Sequence, residues 1–153
     1  MKLKEKPVYL DVCALGRPYD DQSFARIRIE KIAVDVIIAS VKYGRYTLYY
    51  SDVHEMEIAA NPDEIARLEI IELLHKLGKN AAPSVKESVL GSRVKQLYQK
   101  GFESADAFHV AYAENLGASF ITCDDKLLRR CHRTVSEIWC GTPDDFCRKE
   151  RLI

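Results

Sequence analysis

The chain has 153 residues, 47% of them hydrophobic and 30% charged, a composition that excludes a disordered chain or a repeat array and fits one globular domain over residues 1–153. Lys plus Arg equal Asp plus Glu at 23 each, so the net charge gives no footprint of a non-specific polyanion binder, and nucleic acid would need a local basic patch. A chain of this length buries roughly two thirds of its unfolded surface, so its core needs no disulfide or metal staple.

The opening MKLKEKP leads directly into an apolar run from Val8 to Val12, a first strand with no preceding secretory stretch of roughly 7–15 apolar residues. A long helix is predicted from about Gln22 to Tyr43, with Asp20 or Asp21 as its N-cap. Its sheet-facing stripe would hold Ile29, Ile32, Ala33, Val36, Ile37, Ser40 and Val41, leaving Arg28, Glu30, Lys31 and Asp35 off it. A second strand covers Thr47 to Ser51. The helix after it would take Asp52 as N-cap and Glu55 as the acid of a capping box.

The next helix, Asn61 to Leu77, opens on Asn-Pro-Asp-Glu and stops at Gly78. A polar helix from about Ser84 to Lys100 ends at Gly101. An Ala-rich helix from Ser104 to Leu116, apolar on most sides and therefore expected to be buried, ends at Gly117. Strands at Ala118 to Thr122 and Ser136 to Cys140 follow, and the charged tail from Asp144 to Arg151 reads as a solvated terminal helix. Alternating strands and helices predict an α/β fold.

Five cysteines, Cys13, Cys123, Cys131, Cys140 and Cys147, include no CxxC pair; they read as reduced thiols in a cytoplasmic protein, and grouping Cys131 and His132 with Cys140 or Cys147 as metal ligands lacks the tight spacing of a zinc site. No window approaches the roughly 18 apolar residues of a membrane span.

The chemistry lies in where the acids fall. Asp11 ends the first strand, and Asp124 and Asp125 follow Ala118 to Cys123, so one sheet edge, the edge at which open α/β sheets bind ligands, is marked twice. Asp106 sits in the first turn of the Ala-rich helix, favoured by the helix dipole but in apolar company. Taken singly, each reads as a turn, cap or first-turn residue. Taken together, converging carboxylates repel unless a cation, a shared proton or basic side chains neutralise them. Oxygen donors without His or thiolate pairs suit Mg²⁺ or Mn²⁺, and such an ion serves phosphodiester chemistry. No GxxxxGK[ST], GxGxxG or GxSxG is present. Of His54, His75, His109 and His132, only His109, three residues beyond Asp106, is placed to support an acid.

Tyr9-Leu10-Asp11-Val12-Cys13-Ala14-Leu15, the acidic helix after Tyr50-Ser51, Ser104-Ala105-Asp106-Ala107-Phe108-His109, and Phe120-Ile121-Thr122-Cys123-Asp124-Asp125 together resemble, in order and spacing across nearly the whole chain, the PIN domain family. The resemblance implies a three-layer α/β/α fold with a central, mostly parallel sheet, and a Mg²⁺- or Mn²⁺-dependent endoribonuclease of the VapC-like kind, restrained by an antitoxin where one exists. It carries the metal-binding and catalytic acids onto Asp11, Glu57, Asp106 and Asp124, with Asp125 as an additional metal ligand. Arg17-Pro18-Tyr19-Asp20-Asp21-Gln22 resembles a loop of one bacterial and archaeal subgroup. Glu57 is preferred over Glu55 because it shares a face with Val53, Met56 and Ala60. Arg129, Arg130 and Arg133, which follow Asp124 closely, are the RNA-binding candidates, their plainer reading being a solvated helix face. Expected partners are RNA, an antitoxin and a second copy of the chain, with no membrane. The alternative from another class is a non-catalytic PIN-fold module that binds RNA or protein; a carboxylate at all four motif positions favours the enzyme. A phosphohydrolase is disfavoured because Asp11-Val12-Cys13 lacks a DxD pair.

Overall fold

The computed structural model describes residues 5–153. Pro7–Leu10 form β1, and the next residue, Asp11, already caps a one-turn helix α1 (Val12–Leu15). A 3-10 turn at Arg17–Tyr19 leads to α2 (Ala25–Lys42). The chain continues through β2 (Thr47–Tyr50), α3 (Asp52–Ala59), α4 (Glu64–Leu77) and β3 (Gly78–Asn80). A 3-10 turn at Ala82–Ser84 precedes α5 (Glu87–Gln99), followed by α6 (Ser104–Leu116), β4 (Ser119–Ile121) and α7 (Asp125–Thr134). β5 (Cys140–Gly141) and α8 (Pro143–Lys149) close the described chain.

The five strands run parallel in the order β3-β2-β1-β4-β5. Alternate side chains of β1 serve opposite faces, as a strand period of two requires. Val8 and Leu10 join α1, α2, α4 and α8 in one apolar cluster, while Tyr9 joins α5, α6 and α7 in the other. Both faces are covered, as all-parallel sheets demand. Each fully buried Leu or Ile, such as Leu48 or Ile37, contributes about 1.5–3 kcal/mol of transfer free energy. The strand order reverses between β1, which leads outward to β2, and β4 on its other flank, so the crevice beyond their carboxyl ends is a topological switch point.

Several boundaries differ from those predicted. β1 and β4 stop at Leu10 and Ile121: the Asp11 N–H still donates to the Ile121 carbonyl at 3.1 Å, but its side chain caps α1 and accepts the Thr122 hydroxyl. Of the run Ser136 to Cys140 only Cys140 is strand, together with Gly141 in the two-residue β5, and the unpredicted β3 begins at Gly78 itself, whose extended backbone carries the chain from α4 straight into a strand. α4 begins after Pro62, with Asp63 as the cap accepting from the Ala66 N–H at 3.1 Å. Gly117 ends α6 in the left-handed region, φ 63°, at the predicted place. α8 is not merely solvated: Phe146 and Cys147 are buried in the cluster that α2 lines.

Neither Asp20 nor Asp21 caps α2; Phe24 occupies the cap without a side-chain bond, Asp20 pairs with Arg17 and Asp21 accepts from the Ser23 N–H. α2 is also rotated from the expected stripe. Ile29 and Ile32 are half exposed at 50% and 55%, while Glu30 is buried. Glu30 sits inside because Arg17 Nε (3.1 Å) and Arg26 Nε (3.3 Å) both reach one of its oxygens; a paired carboxylate tolerates burial.

Candidate active site at the carboxyl edge of the sheet

Asp11 is a buried carboxyl held from three sides. Its Oδ1 accepts from the Ala14 N–H and the Cys13 thiol, each at 3.1 Å, and its Oδ2 accepts from the Thr122 hydroxyl at 2.6 Å. Burial pushes its pKa well above the ordinary carboxylate value, and the Thr122 bond opposes that shift only in part. Thr122, which the motif reading passed over, also accepts the Asp124 N–H at 3.0 Å, so one hydroxyl ties the ends of β1 and β4 together. A Thr two residues before a strand-end Asp is the available sequence signal, since such hydroxyls close local turns.

Asp124 is the N-cap of α7, its Oδ1 accepting from the Lys126 and Leu127 N–H groups at 3.0 and 3.2 Å. The cap reading is therefore realised for both Asp11 and Asp124, and it coexists with their place at the crevice. Asp106, at the third position of α6, is half-buried with a pKa raised to about 6. Desolvation is the main cause; the neighbouring carboxylates of Asp124, Glu103 and Glu57 push the same way, and only His109 opposes them. No hydrogen bond to the Asp106 carboxyl offsets this among the described residues. The structure thus brings Asp106, Asp124 and Glu57 into one electrostatic neighbourhood, with Glu103 at its rim.

Glu57 reaches this neighbourhood by a route other than the one predicted. Ser51, not Asp52, caps α3, and His54 at the third position closes the capping box, its Nδ1 accepting the Ser51 N–H at 3.0 Å. Glu55 is consequently one position further on, an exposed acid paired with His75 at 3.2 Å, and it closes no box. Met56 is 70% exposed, so no apolar stripe carries Glu57 inward. Its carboxylate instead meets the Nε2 of buried His109.

Asp125 lies on the outside. Arg26 grips both its oxygens at 2.7 Å and bonds the Cys123 carbonyl at 3.1 Å, which holds the carboxyl below its usual range. Its place in an ion pair, rather than with Asp106 and Asp124, removes it from the set of acids that face one another. Arg129 and Arg133 are exposed and Arg130 is half-buried; Arg129 is near enough to help lower the Asp125 pKa. Replacing Arg26 with Met is expected to cost about 1–2 kcal/mol in urea denaturation: the half-exposed fork to Asp125 contributes up to about 1 kcal/mol, and the lost pairing with buried Glu30 the rest, Arg17 still compensating that carboxylate. Lys should recover less than half of that, because an ammonium cannot make the fork; equal stability of the Lys variant and the parent would contradict the two-pronged geometry.

Among the described residues no group of three or more His, Cys, Asp or Glu side chains already stands in metal-holding geometry. The donor chemistry of the crevice is nevertheless that of a hard cation: carboxylate oxygens disfavoured by burial and then by one another, touched by one imidazole, His109, and one thiol, Cys13, as hydrogen-bond partners and not as a ligand pair. The Cys131, His132, Cys140 and Cys147 grouping is otherwise engaged, His132 Nε2 donating to the Cys140 carbonyl and the Cys147 thiol to the Ala33 carbonyl.

A parallel α/β/α sandwich with carboxylates at its switch point is the class that fold and crevice define, and the architecture is PIN-like. No family model matches the chain, nor does any curated protein. Among solved structures, the crystal structure of FitAcB from Neisseria gonorrhoeae is similar to it with a TM-score of 0.55 and 13% identity, over 89% of this chain and 97% of that one. At that identity the likeness is one of fold. No described helix is long and apolar enough to cross a membrane.

Proposed function

We propose that the chain is a Mg²⁺- or Mn²⁺-dependent endoribonuclease whose Asp11, Glu57, Asp106 and Asp124 hold the ion at the switch-point crevice. The observation that carries this reading is Asp106, a half-buried carboxyl beside three further acids, its pKa raised to about 6 and no hydrogen bond offsetting the burial. A group left that unfavourable is suited to an ion that neutralises it. When bound, the cation supplies an activated water and charge compensation at the scissile phosphate. The chain's own residues set the frame: Thr122 fixes Asp11 and the turn that carries Asp124, α6 presents Asp106, and Arg26 keeps Asp125 clear of the cluster. RNA as the substrate follows the PIN resemblance. An antitoxin and a second copy of the chain are proposed as protein partners, supported by the exposed Phe24, Ile29 and Ile32 along α2.

One observation favours a second reading, a non-catalytic RNA- or protein-binding module: both oxygens of Asp11 and one of Asp124 are already occupied by hydrogen bonds within the protein. Incubation of the purified protein with single-stranded RNA separates the two. Cleavage with Mn²⁺ that stops in EDTA is expected. RNA binding without cleavage in either ion would support the module, and cleavage undiminished by EDTA would overturn the metal site.

Phosphate contacts are assigned to Arg129, Arg130 and Arg133. Neutralising all three with Gln is expected to lower RNA affinity at least about 10-fold near physiological salt and to reduce the slope of log K against log salt by about 2, at roughly 0.7 per phosphate contact on single strands. Filter binding at several salt concentrations measures both, and an unchanged slope would place the basic surface elsewhere.

A further inference from the structure

Four polar side chains are buried side by side where an apolar core would otherwise continue: Tyr9 and His54 at 0%, Ser51 at 0% and His109 at 1% exposure. Burial of such groups is costly unless each finds partners, and here they form one continuous run. Ser51 Oγ lies 2.9 Å from Tyr9 Oη, Tyr9 Oη lies 2.6 Å from His109 Nδ1, and His109 Nε2 meets a carboxylate oxygen of Glu57. His54 packs against this run with its ring 4.7 Å from that of His109. Its own bonds, Nε2–H to the Leu10 carbonyl at 2.6 Å and Nδ1 from the Ser51 N–H, make it the neutral tautomer, and desolvation holds its pKa down at about 3.

The direction of the run follows from its members. Burial keeps the Tyr9 phenol protonated. Facing a carboxylate, His109 donates from Nε2; in the neutral imidazole Nδ1 then accepts the Tyr9 O–H and the Tyr9 oxygen accepts the Ser51 O–H. Every donor points toward Glu57. Moving a proton along the run would end in a Ser51 alkoxide in the core, so the run is an orienting device and not a proton path.

What it orients is an acid that would otherwise leave. Glu57 is on the eight-residue α3 with its side chain 38% exposed, and it repels Asp106. Nothing on its own helix holds it inward. Asp106 and His109 are three residues apart on α6 and share a face, so one helix both presents its own carboxylate and grips the one from α3. We infer that His109 is a positioning residue of the crevice, backed by Tyr9 and Ser51, that holds Glu57 beside Asp106. This rests on the reading of the crevice as a cation site.

The test uses Mn²⁺ alone, titrated against the purified protein, with the free ion counted by electron paramagnetic resonance and melting followed in parallel. His109→Leu should weaken Mn²⁺ binding about 10- to 100-fold, as loss of a group that orients a ligand does. His109→Gln, whose amide N–H can replace the Nε2 donor, should stay within about 3-fold of the parent. Tyr9→Phe should fall between them. His109→Leu added to Glu57→Gln should weaken binding no further than Glu57→Gln alone, because His109 acts only through that carboxylate. Nitrogen NMR of His109 in the parent should show a protonated Nε2 and a bare Nδ1. Mn²⁺ binding that survives His109→Leu but falls with Glu57→Gln would overturn the positioning role alone, as would equal losses in the Leu and Gln variants. If His109→Leu does not fold, Tyr9→Phe with parental Mn²⁺ affinity has the same force. A parent that binds no Mn²⁺ would remove the cation site and this role with it.

Discussion

Asp106→Asn is expected to abolish metal-dependent RNA cleavage, by at least about 100-fold, while making the protein more stable at neutral pH. The two effects have one cause. In the folded protein Asp106 titrates near 6, above its ordinary 3.8, because burial and the carboxylates of Asp124, Glu103 and Glu57 disfavour its charge. The folded state therefore holds this proton more tightly than the unfolded chain does. The stability it contributes is complete below about pH 4 and is lost as pH rises toward 6. Discounted for the exposed part of the side chain, the cost at pH 7.5 is about 1 kcal/mol. Asn carries no charge, so the variant should gain that amount at pH 7.5 and nothing at pH 4, read from urea midpoints at the two pH values. Mn²⁺ should raise the melting temperature of the parent and leave the variant nearly unmoved, since a ligand stabilises only the state that binds it. A variant less stable than the parent at pH 7.5 would make Asp106 a structural first-turn acid. Full activity in a stable variant would remove it from the site.

The second large effect concerns stability alone. Glu30 is a 2%-exposed carboxylate whose Oε1 is shared by Arg17 and Arg26 and whose Oε2 finds no partner among the described residues. Removing one side of a buried ion pair leaves the other charge desolvated and uncompensated, whereas replacing both with apolar groups is often neutral. Arg17→Met should thus cost about 2–3 kcal/mol, the half-exposed Arg26 compensating only in part. Arg17→Met combined with Glu30→Met should recover most of the loss. Denaturant midpoints of the single and double variants measure the difference, and additive losses would show that Arg17 and Glu30 do not act as a pair.

The sequence pattern was informative wherever a residue's role depends on its immediate neighbours. Gly117 can end α6 because only a residue at ease with positive φ turns the chain there, and the Ala-rich helix is buried as its composition requires. Asp11 and Asp124 were legible as acids at the carboxyl edge because each directly follows an apolar strand run. The rotation of α2 was not legible. Ile29 and Glu30 are consecutive, and periodicity favours the apolar one for the interior. Arg17 and Arg26 reversed that by neutralising Glu30 in the core. β3 and β5, three and two residues long, are too short to show any period.

The acids of the crevice divide along the same line. Their positions at strand ends and in the first turn of α6 follow from the sequence by itself, since turn chemistry and the helix dipole act over a few residues. Which of them face one another was decided only by the tertiary structure. Asp125 is taken by an arginine 99 residues away, Glu57 is held by a histidine 52 residues away, and Asp11 is tied to a threonine 111 residues away. Each partner arrives through packing across the parallel sheet. An ion pair or hydrogen bond that decides where a carboxylate rests depends on distance in space, which no local spacing encodes.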